Sequence, residues 1–155
     1  MILTAGPTEV SVDPALPQEV ESVLEGLRPS APADLTGARS RYTDLAVDEP
    51  ELRDRLIAVA AGLPGTPDPA TVRVHRHGVG DFTLPRRAGD SAAGNWTLTF
   101  PLTDSEVDGV TAWTGERFER LPDRVGAGLV LEPGAWTWVS PVRGAPRYSV
   151  VMGVR

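Results

Sequence analysis

Three small groups of side chains in this chain have the types and spacing to do chemistry. His75 and His77, its only histidines, lie two apart in a β-type segment and so share one strand face. An imidazole titrates near neutral pH and carries both a donor and an acceptor, so the pair can move a proton or fix a polar group. Asp81 follows closely, and two imidazoles with a carboxylate form a ligand set for Fe, Mn or Zn. Arg147 and Ser149 repeat the two-residue spacing inside an otherwise apolar final segment, giving an anion-binding position. Arg86 and Arg87 add further positive charge.

Composition narrows the chemistry. With 155 residues, one domain with a substantial core is expected. A net charge of −6 and no basic run argue against nucleic acid as a partner. The absence of cysteine removes thiolate metal sites, iron–sulfur clusters, disulfides and cysteine nucleophiles together. No apolar stretch approaches a membrane span, and the first residues do not read as a signal peptide, so the cytoplasm is the expected location. All 15 basic residues are Arg, a bias that reads as coding composition rather than guanidinium chemistry.

The elements that must position these groups change character near residue 70. Before it, a first strand is expected over Met1 to Ala5, with a turn at Gly6-Pro7. Val20, Val23, Leu24 and Leu27 recur at helical spacing after Pro17. Asp48 and Glu51 resemble a capping box ahead of a second helix with Leu52, Leu56, Val59, Ala60 and Leu63 on its apolar face. Residues 39 to 47 read as extended. After residue 70, short alternating segments follow at Thr71 to His77, Trp96 to Phe100, Val110 to Thr114, Ala127 to Leu131, Trp136 to Val142 and Arg147 to Val154. The pattern is α+β, mainly β: a sandwich or barrel with two N-terminal helices packed on one side. Asp104, Glu106 and Asp108-Gly109 open like a calcium loop, but its twelfth position is Gly115, so a solvated hairpin tip is expected.

Residues 70–155 resemble the prolyl-4-hydroxylase-like branch of the 2-oxoglutarate- and Fe(II)-dependent dioxygenases. The fragments that carry the resemblance are VRVHRHGVGDFTLP, WTLTFPLTD, Asp108-Gly-Val-Thr111, Val139-Ser-Pro-Val142 and Pro146-Arg-Tyr-Ser149, in the family's order. The resemblance implies a double-stranded β-helix, a jelly-roll or cupin-like barrel, over residues 71–155, supported by residues 1–70. It also implies that Arg147 stands where the family pairs a basic residue with the distal carboxylate of 2-oxoglutarate. The first metal-ligand region falls on Pro85 to Asp90, without the family's His-x-Asp, and the distal His position falls on Thr137. Trp136 and Trp138 flank that position, so either could close off the metal space. His75-x-His77 with Asp81 is also similar to the first metal motif of cupins.

Two readings follow. In one, the iron is lost and no cofactor is needed. Arg147 and Ser149 anchor an acidic small molecule, with Arg86, Arg87, Thr137 and Trp138 lining the site and His75 or His77 donating or accepting a proton. Such a site would serve isomerisation, cyclisation or elimination, or binding alone. In the other, His75 and His77 with Asp81 or Asp90 form a relocated Fe(II) triad that works with 2-oxoglutarate. A non-catalytic interaction domain is a third alternative.

Overall fold

A computed structural model describes residues 3–24, 40–88 and 95–155. Among them are ten strands and two α-helices. Strand β1 (Gly6–Glu9), helix α1 (Leu16–Leu24), β2 (Thr43–Ala46) and α2 (Pro50–Ala58) come first. A single 3-10 turn at Pro69–Thr71 then leads into β3 (Arg73–His77), β4 (Thr83–Arg87), β5 (Trp96–Pro101) and β6 (Gly109–Trp113). The rest are β7 (Phe118–Pro122), β8 (Ala127–Leu131), β9 (Trp136–Val139) and β10 (Arg147–Val154). No described helix is long and apolar enough to cross a membrane.

Every strand pairing is antiparallel, in two sheets. A six-stranded sheet runs β1-β8-β5-β10-β3-β2, and a four-stranded sheet runs β4-β9-β6-β7. From β3 to β10 the chain alternates between the sheets except at the β6–β7 hairpin, both strands of which lie in the smaller sheet, which is the order of a double-stranded β-helix, as the resemblance implied. β1 and β2 extend the larger sheet at its edges.

The two faces of the larger sheet have different jobs. Leu98 and Phe100 of β5, Val74 of β3, and Val150 and Met152 of β10 point outward. There they form one buried cluster with Leu16 and Val20 of α1 and Leu52 and Leu56 of α2. This layer holds most of the apolar burial, at roughly 1.5–3 kcal/mol for each large side chain. The alternate residues of the same strands face the smaller sheet, where the apolar cluster is sparse: Ala88, Ala112, Leu129, Leu131 and Ala135. Because the helix-covered face carries the core, the inward face is free to be polar.

Several local expectations are corrected. The first described strand begins at Gly6, beyond Leu3 to Ala5, and includes the Gly6-Pro7 pair expected as a turn; Met1 and Ile2 lie outside the described residues. As an edge strand that pairs, among the described strands, with β8 alone, it tolerates Pro7. α2 begins at Pro50 with Glu49 as its N-cap and no side-chain cap, so Asp48 lies outside the helix. Proline at the first helical position fixes that start. β4 and β7 have no counterpart among the segments expected from alternation. The 104–109 loop uses its acids as scaffolding: Asp108 accepts from the backbone N–H of Arg143 and Gly144, both at 2.8 Å, and Asp104 from that of Val125 at 2.8 Å.

Glycine is required at one close approach. A Cβ on Gly109 would lie 2.0 Å from the carbonyl oxygen of Leu121 across the β6–β7 ladder. Gly109→Ala should therefore destabilise the protein by about 1–3 kcal/mol, read from its urea midpoint, through displacement of β7.

Candidate small-molecule site

Between the two sheets lies a cavity of about 230 Å³, walled by His75 and His77 of β3, Arg86 of β4, Thr137 of β9, and Arg147 and Ser149 of β10. The pairing registers bring these residues together. β10 is antiparallel to β3 with Arg147 opposite His77 and Ser149 opposite His75, and β4 is antiparallel to β9 with Arg86 opposite Thr137. Arg87, Thr97 and Thr99 also contribute.

The histidines differ in their surroundings. His75 places Nε2 3.4 Å from Oδ1 of Asp44, its cross-strand neighbour on β2. Burial lowers its pKa and the Asp44 contact works against that, with a net downward shift. Burial raises the Asp44 carboxyl, but hydrogen bonds from His75 and Arg73 prevail and hold it at about 2. His77 is 1% exposed and lies parallel to the Tyr42 ring, 5.1 Å between centroids. Burial, then the charge of Arg147, lowers its pKa to about 2, so it is a neutral imidazole. Among the described residues, neither of its ring nitrogens has a hydrogen-bond partner.

Arg147 does not offer an open fork. Its Nε donates to Oδ2 of Asp123 at 2.6 Å, its Nη2 to Oδ1 at 3.0 Å, and its Nη1 to Oγ of Ser149 at 3.2 Å. The guanidinium read as a carboxylate anchor thus holds a carboxylate of its own chain. Burial pushes the Asp123 carboxyl up, against the pull of Arg147, and the two parallel contacts are those of an ionised carboxylate. Arg86 donates to the Tyr42 hydroxyl at 2.7 Å, and Arg87 lies over the Trp136 ring. Both are exposed at the cavity rim, and among the described residues neither is paired with a carboxylate.

Seven of the eight candidate residues therefore converge. Trp138 does not: it faces away from the cavity, its ring 5.3 Å from Phe118. Trp136 is 41% exposed and does not line the cavity either, so neither tryptophan fills the space beside Thr137. Asp81 accepts from the backbone N–H of Gly78 at 2.8 Å and meets Arg41, so it serves its own turn rather than the His pair. Asp90 lies outside the described residues. Sequence reading missed Tyr42, Asp44 and Asp123. Tyr42 and Asp44 carried a signal in their two-residue spacing beside β3; Asp123, 24 residues from Arg147, carried none.

Among the described residues, those at the expected metal position do not suit Fe(II). Arg86 and Thr137 face each other there, and a protonated guanidinium cannot ligate a cation. Among the described residues no group of three His, Cys, Asp or Glu side chains is placed to hold a metal.

No family model matches the chain, and no curated protein sequence matches it. Solved structures do. A Pseudomonas putida prolyl-4-hydroxylase superposes with a TM-score of 0.67 at 13% identity, over 96% of this chain and 91% of that one. HygX from Streptomyces hygroscopicus, solved with nickel and 2-oxoglutarate, gives 0.70 at 11% identity over 97% and 82%. SnoN, a non-heme α-ketoglutarate-dependent epimerase from nogalamycin biosynthesis, gives 0.69 at 16% over 98% and 78%. With the strand order and the inward-facing polar cavity, these similarities establish that the chain has the double-stranded β-helix fold of the prolyl-4-hydroxylase-like 2-oxoglutarate and Fe(II) oxygenases.

Proposed function

We propose that this protein uses the oxygenase fold as an iron-free site that binds and rearranges a small acidic molecule by isomerisation, cyclisation or elimination. The observation that carries this reading is His77: a buried, neutral imidazole facing a polar cavity, with neither ring nitrogen hydrogen-bonded by any of the described residues. Such a group is costly to bury unless something hydrogen-bonds to it. The cavity, about 230 Å³, suits a small molecule or one ring of a larger one.

The roles divide by environment. His77, held neutral, orients a hydroxyl or carbonyl by hydrogen bonding and is too weak a base to take its proton. His75 has a carboxylate beside it, so it is the group that accepts a proton during the reaction. Arg86 and Arg87 receive the acidic group at the rim, in place of Arg147. The structural likeness to an epimerase of nogalamycin biosynthesis supports small-molecule tailoring as the class.

Thermal-shift screening of carboxylated ring compounds against their uncharged esters tests the reading. Acids should raise the Tm more than their esters, and Arg86→Ala/Arg87→Ala should weaken binding about tenfold or more. His77→Phe keeps the ring stacked on Tyr42, so its stability at pH 7 should stay within about 1 kcal/mol of the parent or exceed it. Ligand binding should be lost in that variant. Stoichiometric iron after anaerobic Fe(II) reconstitution, with succinate released from 2-oxoglutarate, would overturn the proposal.

A further inference from the structure

The Arg147–Asp123 pair separates two chambers. On one side is the cavity of His75 and His77. On the other is a second cavity of about 250 Å³, walled by Phe100, Pro101, Leu121, Pro122 and Leu129, which shares Thr99, Val110 and Arg147 with the first. The two paired side chains are 5% and 2% exposed.

Asp123 is locked where it stands. Its backbone N–H donates to the Asp108 carbonyl at 3.1 Å, and its own carbonyl accepts from Ser105 at 3.0 Å. Asp108 in turn is held by the backbone of Arg143 and Gly144, just ahead of β10. The carboxylate is therefore presented to Arg147 by backbone contacts that leave it no free rotation of the loop. It takes the two-toothed face of the guanidinium, and Ser149 takes a third donor. An incoming carboxylate would find the geometry it needs already used and an ionised group of its own sign beside it.

We infer that Asp123 is a specificity-determining residue, a resident carboxylate that closes the Arg147 end of the site to acidic ligands and selects an uncharged, hydrogen-bonding group there. This deepens the proposed reading by orienting the ligand: acidic end at Arg86 and Arg87, neutral end inward. It also means that the chain refuses 2-oxoglutarate at Arg147 whether or not any metal is supplied.

Calorimetric titration with 2-oxoglutarate and glutarate tests the inference, using the wild-type protein, Asp123→Ala and Asp123→Ala/Arg147→Ala. The wild type should bind neither diacid through Arg147. Asp123→Ala should gain affinity by at least about tenfold, and the double variant should lose that gain. If Asp123→Ala does not fold alone, its refolding yield in glutarate against chloride at equal ionic strength gives the same answer: recovery in glutarate supports the inference, and equal yields overturn it. Wild-type binding of 2-oxoglutarate that Arg147→Met abolishes would overturn it, as would a folded Asp123→Ala with no gain. These readouts depend only on Arg147, so they stand even if no ligand is found for His77.

Discussion

Arg147→Met should cost the protein about 3–5 kcal/mol of stability, read from urea unfolding at pH 7. The substitution keeps much of the side-chain volume but strands the Asp123 carboxylate in a site where the partners are 5% and 2% exposed. Charge burial without a partner, rather than lost packing, is the expected cause. Two controls separate them. Arg147→Met/Asp123→Leu should recover most of the loss, because a buried ion pair replaced on both sides by apolar groups is often neutral. The single variant's deficit should also shrink as the pH falls, since burial already pushes the Asp123 carboxyl up and protonation removes the stranded charge. A deficit under about 1 kcal/mol would mean that solvent reaches the pair and that its electrostatic weight is that of a surface contact.

Acid should destabilise the fold from about pH 6.5 downward. The folded-state pKa of His77 is lowered to about 2 from 6.5, so between those values the unfolded chain takes up a proton that the folded chain refuses. Stability from this source is complete above pH 6.5 and falls by about 1.4 kcal/mol per pH unit below it, reaching roughly 3 kcal/mol by pH 4.5. His75, also shifted downward, adds in the same direction. Asp44, held at about 2, contributes stability that is present above its unfolded value of 3.8 and is lost only as the pH falls through the folded value. Asp123 titrates with the opposite sign, so the comparison that isolates the imidazole is wild type against His77→Phe. Their urea midpoints should diverge steadily from pH 7 to pH 4.5, with the variant the flatter of the two. Parallel curves would show that His77 is protonated as readily in the fold as outside it.

Much of the site was legible because strand alternation is a strong rule. His75 with His77 and Arg147 with Ser149 share faces by spacing alone, and the bounds of β10 were read correctly as Arg147 to Val154. The same rule could have removed Trp138: if Thr137 points inward on β9, its neighbour cannot. β4 and β7 were missed because neither sequence carries a clean apolar alternation. TLPRR is exposed at four of its five positions, and FERLP is an edge strand. The partner of Arg147 was illegible for a different reason. Whether a buried arginine faces a ligand or an aspartate from a distant loop depends on tertiary closure, and no local pattern distinguishes Asp123 from any other turn acid.

β10 has a consequence for how the molecule assembles. It lies between β5 and β3 in the larger sheet, yet it follows every other described strand in chain order. During synthesis, the β1-β8-β5 part and the β3-β2 part can each pair before β10 emerges, but both keep an open inner edge until it is made. Two bare edges are sites for mispairing with other chains. Arg147 arrives on that same late strand, so the joining of the sheet and the neutralisation of Asp123 belong to one closing event.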